Sequence, residues 1–341
     1  MTEYEVWQNL RPLESFDNVK AWFNKIHSRT LSSRRASEIA CAAKQSREYF
    51  RNAKQADYSV RSLLTFYGVA SLSRAVTLLL NRNNGEEVLT KGHGLEVFRW
   101  SEILSGDISE ALRNLGMLEV KTCHGLFEDF LNAVQNKTYI YIRGSRADMV
   151  ISYEVPIIGR NISLEELLSR IPDLKQDAVA LCDVKYTTVN KWDYTEKDGF
   201  KAVCPSDLPQ SLCEAYRNYG YQINEVGKEY VSLDCSTDLF YKKTPLFLHC
   251  YIDKMFGSIP RLCLVEPLNC DCNYCEMGIC YLISYFMGML SRYFPTHWVS
   301  LINGGPGDRL WPVINRAQNY VETVFPELIV ELIQEKLKGD E

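Results

Sequence analysis

The residues best suited to chemistry in this 341-residue chain fall into four groups. Cys270, Cys272, Cys275 and Cys280 lie close together in the run NCDCNYCEMGIC. Thiolates at this density suit Zn²⁺, a soft-ligand cation, and the turn from Cys272 to Cys275 has the form of half a zinc knuckle. The competing reading is a set of small buried hydrophobes at a helix start. Arg292 and His297 stand at the end of an apolar helix with four residues between them. An arginine can stabilise developing negative charge and a histidine can move protons where the two are brought together. Pro295 interrupts the helix between them, so the two need not share a face. Against catalysis, Arg292 also suits the negative end of a helix dipole, with Trp298 packing beneath it.

The third group is basic. Lys44, Arg47, Arg51 and Lys54 recur at steps of three, four and three, with Arg34 and Arg35 just upstream. This spacing puts them on one helix face, where they would hold phosphates or an acidic protein partner, or pair with Glu38 and Glu48. Arg61 and Arg74 lie behind the stripe. Arg74, inside the apolar run GVASLSRAVTLLL, is expected to be buried and to need a carboxylate or a ligand. The fourth group is His93 in KGHGL and His124 in CHGLF, both expected in loops or at helix starts and bonded to their own backbone.

The elements that must position these residues follow from hydrophobic period. Phe16 to Ile26 has one-face helical spacing, and Thr30 or Ser32 caps a second helix that carries the basic stripe. Val60 to Leu80 is apolar all round and reads as a central helix; Leu126 to Val134 is a shorter one. The period then changes to two. Strands are predicted from Tyr139, Met149, Ala178, Tyr230, Pro245 and Arg261, interrupted by a helix with a capping box at Ser163 and Glu166. From Tyr274 the chain returns to helix, through MGICYLISYFMGMLSRY, VINRAQNYVETVF and ELIVELIQEKL. The predicted fold class is α+β, with helical N- and C-terminal segments (1–135 and 269–341) packing together around a strand-rich middle (136–268) as one compact unit.

Composition narrows the classes. There are 38 Lys plus Arg against 43 Asp plus Glu, a net charge of −5 and 46% hydrophobic residues. A chain of this size builds a core without metal or disulfide staples, and its overall acidity argues against a surface devoted wholly to nucleic acid. The most apolar stretch, Ile279 to Leu290, is too short to cross a bilayer, which needs about 20 residues. The N-terminal residues lack a signal-peptide pattern, and the 12 scattered cysteines fit a reducing cytoplasm. Phosphate-cradling, nucleophile-elbow, zinc-protease and dinucleotide motifs are lacking; GGPG at Gly304 to Gly307 has no lysine for a phosphate.

Four segments in order resemble the YaaC-like bacterial protein family. REYFRNAKQADYSVRSLLTFYGVASLSRAVTLLL is similar to its N-terminal hallmark, in which a Tyr-Phe-x-x-Ala helix leads through a Ser-Val turn into an apolar helix containing Tyr-Gly. KGHGL matches its His-Gly-Leu loop, ISLEELLSRIPDL its central helix, and YLISYFMGMLSRYFPTHW its C-terminal helix ending in Arg-Tyr-x-Pro-x-x-Trp. The resemblance implies a cytoplasmic bacterial protein, with some members among antiviral defence genes. It implies a non-enzymatic or regulatory component acting through a protein partner encoded nearby, nucleic acid being a further possible partner. The Arg292 and His297 spacing separately resembles that of HEPN-type ribonucleases, which implies metal-independent RNA cleavage with the pair bracketing a scissile phosphate, although His297 occupies a variable position of the YaaC-like pattern. The cysteine cluster lies outside that pattern, so zinc rests on spacing; no other cofactor is expected.

Overall fold

A computed structural model describes residues 1–140, 149–178, 183–240, 250–253, 261–269 and 272–338. Its helices of eight residues or more are α1 (Glu3–Leu10), α2 (Phe16–His27), α3 (Ser33–Gln55), α4 (Tyr58–Leu80), α5 (Leu126–Val134), α6 (Gln210–Asn218), α7 (Glu276–Tyr293), α8 (Pro295–Ile302) and α9 (Trp311–Lys338). The first six strands are β1 (His93–Phe98), β2 (Glu119–Gly125), β3 (Lys137–Ile140), β4 (Met149–Ser152), β5 (Asn161–Ser163) and β6 (Tyr186–Thr188). The rest are β7 (Lys191–Thr195), β8 (Gly199–Pro205), β9 (Gln222–Val226), β10 (Tyr230–Cys235), β11 (Cys250–Asp253) and β12 (Arg261–Val265). The protein is α+β: the terminal helices pack together and the middle of the chain carries most of the strands. Two compact units result, one of Met1–Gln135, Ile157–Leu164 and Glu276–Glu341, the other of Asn136–Pro156 and Glu165–Cys275.

The first unit is organised on α4. Asp57 starts it by accepting the Ser59 N–H at 2.8 Å. Because α4 has no polar face, it needs neighbours on several sides. α3 supplies one: a Cβ at Gly68 would lie 2.8 Å from the Phe50 ring, so the bare glycine lets the helices close, and Ser46 Oγ donates to the Gly68 carbonyl at 2.8 Å. α7 supplies another, with Phe66 seated over Gly288, where a Cβ would come within 2.8 Å of it. α7 is buried from Glu276 to Ser291, as its sequence predicts for a core helix. Among the described residues α4 is the helix long and apolar enough to cross a membrane, and most of it is buried inside the unit.

A polar lock joins α4 to α9. The Arg61 guanidinium grips the buried Glu322 carboxylate through Nε at 3.0 Å and through Nη2, which also reaches Asn319 Oδ1 at 2.8 Å. Thr65 Oγ1 and Gln318 Nε2 donate to the same carboxylate at 2.7 and 2.6 Å. Every oxygen of Glu322 is thereby answered, which a buried charge requires. The unit is completed by the antiparallel sheet β1-β2-β5.

In the second unit the strands form antiparallel sheets in the orders β7-β8-β10-β9, β11-β12-β6 and β3-β4. Phe200, Ala202 and Cys204 alternate inward from β8 and pack with Leu233 of β10 and with Leu212 and Tyr216 of α6. Asn136 ties the unit's two ends: its amide donates to the carbonyls of Glu154 and Asn273, and its Oδ1 accepts the Cys275 N–H at 2.7 Å.

Several predicted elements shift. β1 and β2 lie between the helices predicted at Val60–Leu80 and Leu126–Val134, where no strand is predicted: a register shift between His93 and Leu95 leaves Gly94 and Leu95 both buried and Glu96 and Val97 both exposed, which breaks the period-two alternation of β1. Ala178, predicted to open a strand, instead ends a helical turn at Lys175–Ala178, residues 179–182 lie outside the described residues, and β6 begins at Tyr186. The strand predicted from Pro245 is described from Cys250 onward. The two last predicted helices are the single helix α9, which runs through a buried Pro326.

Removing one partner from a buried pair strands the other charge. Glu322→Ala should therefore cost about 3 kcal/mol in urea melts, and the apolar double replacement Arg61→Met with Glu322→Leu should cost less than either single change. A loss below about 1 kcal/mol for Glu322→Ala would contradict the lock.

Candidate anion-binding cleft

A cleft of about 510 Å³ opens between α3 and α4, lined by Cys41, Gln45, Tyr49, Tyr67, Arg74 and His93 among others. Helical spacing puts these side chains in rows: 41, 45 and 49 recur every four residues on α3, and 67, 71 and 74 follow the facing ridge of α4. Tyr49 and Tyr67 face each other with ring centroids 5.5 Å apart and planes inclined by 32°. Ser71 Oγ donates weakly to Gln45 Oε1 at 3.4 Å. Arg292, at the end of α7, donates from Nη1 to the hydroxyl of the lining residue Tyr67 at 2.8 Å.

His93 is the titratable centre of this arrangement. Its ring meets Phe66 edge-on at 4.9 Å and lies 6.2 Å from Tyr285. Its backbone is fixed by α7, since the Tyr281 hydroxyl donates to the His93 carbonyl at 3.0 Å and the Tyr285 hydroxyl to the Leu95 carbonyl at 2.8 Å. The two His-Gly-Leu segments explain each other here. His93 pairs with Gly125 across β1 and β2, and a Cβ at Gly125 would stand 2.2 Å from the Gly94 nitrogen, so the backbones touch where neither residue has a side chain. The histidines themselves part company: His124 is exposed and bonds Glu128 at 2.8 Å, whereas His93 turns into the cleft. Both lie on strands, where loops or helix starts are predicted, and His124 stands two residues before the first residue of α5.

Burial, then the charges of Arg292 and Arg74, push the His93 pKa below its ordinary value of 6.5. The imidazole is thus neutral at pH 7 while cationic side chains flank it. That combination favours an anion, which would neutralise the arginines and accept a hydrogen bond from the ring.

The other predicted residues are placed as follows. Arg74 is not buried as expected; its side chain is 45% exposed because its face of α4 fronts the cleft, and it pairs with Glu86 at 3.5 Å. The basic stripe is met by carboxylates: Arg47 by Glu14 at 2.6 Å and Glu48 at 3.0 Å, Arg51 by Glu48, and Lys54 by Glu3, while Lys44 is exposed. Arg34 pairs with Glu38 and Glu87, and Arg35 donates to the Leu78 and Asn81 carbonyls at the end of α4. Arg61 is committed to Glu322. His297 is on α8, beyond the break at Phe294, with its ring edge-on to Phe294 at 6.1 Å; Arg292, on α7, is turned to Tyr67. Cys272, Cys275 and Cys280 are buried, and Cys270 lies outside the described residues. Among the described residues no group of three His, Cys, Asp or Glu side chains is arranged to hold a metal.

Tyr49, Tyr67 and Gln45 were not singled out from the sequence. The available signal was the i, i+4 register of Cys41, Gln45 and Tyr49, which needs the facing helix before it means a cleft.

Because the unfolded chain binds a proton at His93 more readily than the folded one, this residue's contribution to stability is present above about pH 6.5 and lost as the pH falls below it. NMR titration of the imidazole should give a pKa below 6.5, and Arg292→Gln should raise it. An unchanged value in that variant would remove Arg292 from the electrostatics of the cleft.

Among curated proteins and among solved structures, none matches the chain. The family model described as YaaC-like protein matches residues 11–333, nearly the whole length. That match covers all four segments that carry the resemblance, two of which line the cleft with Tyr49, Tyr67, Arg74 and His93, and the chain belongs to the YaaC-like protein family.

Proposed function

We propose that this YaaC-like protein is a non-enzymatic regulatory component that binds a phosphate-bearing ligand in the α3–α4 cleft and acts through a protein partner. The observation that carries the reading is one ligand-sized cavity lined by Arg74 and a neutral His93, with Arg292 bonded to the hydroxyl of Tyr67 on its wall. Phosphate oxygens satisfy all three at once, because guanidinium groups donate in a planar fork and a neutral imidazole still has a donor to offer. The Arg74–Glu86 pair is long and exposed, so an incoming anion exchanges it at little cost. The setting we propose, antiviral defence in the bacterial cytoplasm, extends from the family resemblance.

The basic stripe contributes less to this reading than the cleft does. Its charges face Glu3, Glu14 and Glu48 within the same unit, and a phosphate would have to displace them.

Calorimetry with inorganic phosphate tests the proposal. Arg74→Gln and Arg292→Gln should each weaken binding by about tenfold or more, the loss of one charge-assisted hydrogen bond, while Lys54→Gln leaves it unchanged. Equal affinities in all three variants would place the anion elsewhere. RNA turnover by the purified chain would contradict the non-enzymatic part.

A further inference from the structure

The cleft is chemically two-sided. Arg74 and His93 line it, with Arg292 joined to it through Tyr67, and Tyr49, Tyr67 and Gln45 line it as well. A bare phosphate would use the first set and leave the second idle. Two tyrosines inclined at 32° with centroids 5.5 Å apart form an aromatic wall of the kind on which a planar base stacks. Gln45, an exposed side chain with an amide, stands one helical turn from Tyr49, where it can meet the edge of such a base. The Tyr67 ring is held in place by its hydroxyl, which accepts from Arg292. One residue thus joins the aromatic wall to the cationic end.

We infer that the ligand is a free mononucleotide, its base against the Tyr49–Tyr67 wall near Gln45 and its phosphate at His93 between Arg74 and Arg292. This rests on the anion-binding reading above and adds the class of the ligand to it. A cavity of about 510 Å³ falls within the range of small-molecule sites and suits one nucleotide better than a length of strand. The Arg74–Glu86 pair closes the site when it is empty and opens as the phosphate replaces the carboxylate.

The test compares adenosine 5′-monophosphate, adenosine and inorganic phosphate by calorimetry on the full chain, with melting curves to confirm folding. The monophosphate should bind about tenfold or more tightly than phosphate, the gain expected of one stacked base. Tyr49→Leu should erase that gain, so that the monophosphate binds no more tightly than phosphate does to the same variant, and Tyr49→Phe should restore it. Equal binding of phosphate and the monophosphate overturns the nucleotide assignment while the anion reading stands. Binding of neither overturns both. A single-stranded oligonucleotide that outcompetes the monophosphate overturns the assignment to a free nucleotide.

Discussion

The close approach of α4 to α7, with the Phe66 ring seated over Gly288, is the contact on which the candidate site depends. Phe66 is fully buried, and from that position its ring meets His93 at 4.9 Å, Tyr285 at 5.4 Å and Tyr281 at 6.1 Å. The two tyrosines then reach the backbone of β1 with their hydroxyls. One glycine therefore sets the separation of two helices and, through it, the orientation of an imidazole. A side chain at position 288 would lift α7 and move Arg292, which rides at its end, away from Tyr67.

Charge is distributed in this unit by a simple rule. Arginines inside or beneath the helices are answered by carboxylates or helix ends: Arg61 by Glu322, Arg47 by Glu14, Arg35 by the carbonyls closing α4. Such partners hold the helices in register but leave little capacity for a ligand. Arg74 and Arg292 differ, since one has a distant carboxylate and the other a tyrosine hydroxyl. His93, whose pKa both arginines lower, is the neutral group of the proposed anion site.

Much of the scaffold was legible in the sequence. Helices α2, α4, α5 and α7 announce themselves by period or by continuous apolarity, and of the two caps read for α3, Thr30 and Ser32, it is Ser32 that starts it. β1 was hidden because the register shift between His93 and Leu95 breaks its alternation, and β2 because Thr122 takes a buried place and weakens its apolar pattern. α9 was read as two pieces because a proline removes one helical hydrogen bond, a loss that tertiary packing offsets here. Of the site, Arg74, His93 and Arg292 stood out singly. Their convergence did not, because positions 74, 93 and 292 are joined by packing between helices distant in sequence and not by any local spacing. The same physics misdirected the reading of Arg74: an apolar run around it implies burial, yet a helix with a cleft on one side exposes the residue that faces it.

The central claim is that Arg74, His93 and Arg292 act as a single anion site with a proton-accepting group at its middle. Proton linkage measures this directly, by titrating sulfate, a tetrahedral anion that does not itself take up or lose a proton near neutral pH, into the protein just above pH 6.5 in two buffers of different ionisation enthalpy. A bound anion stabilises the charged imidazole, so the account predicts that protons are taken up on binding and that His93→Asn abolishes the uptake. Binding without proton uptake, or uptake unchanged in the variant, would contradict it.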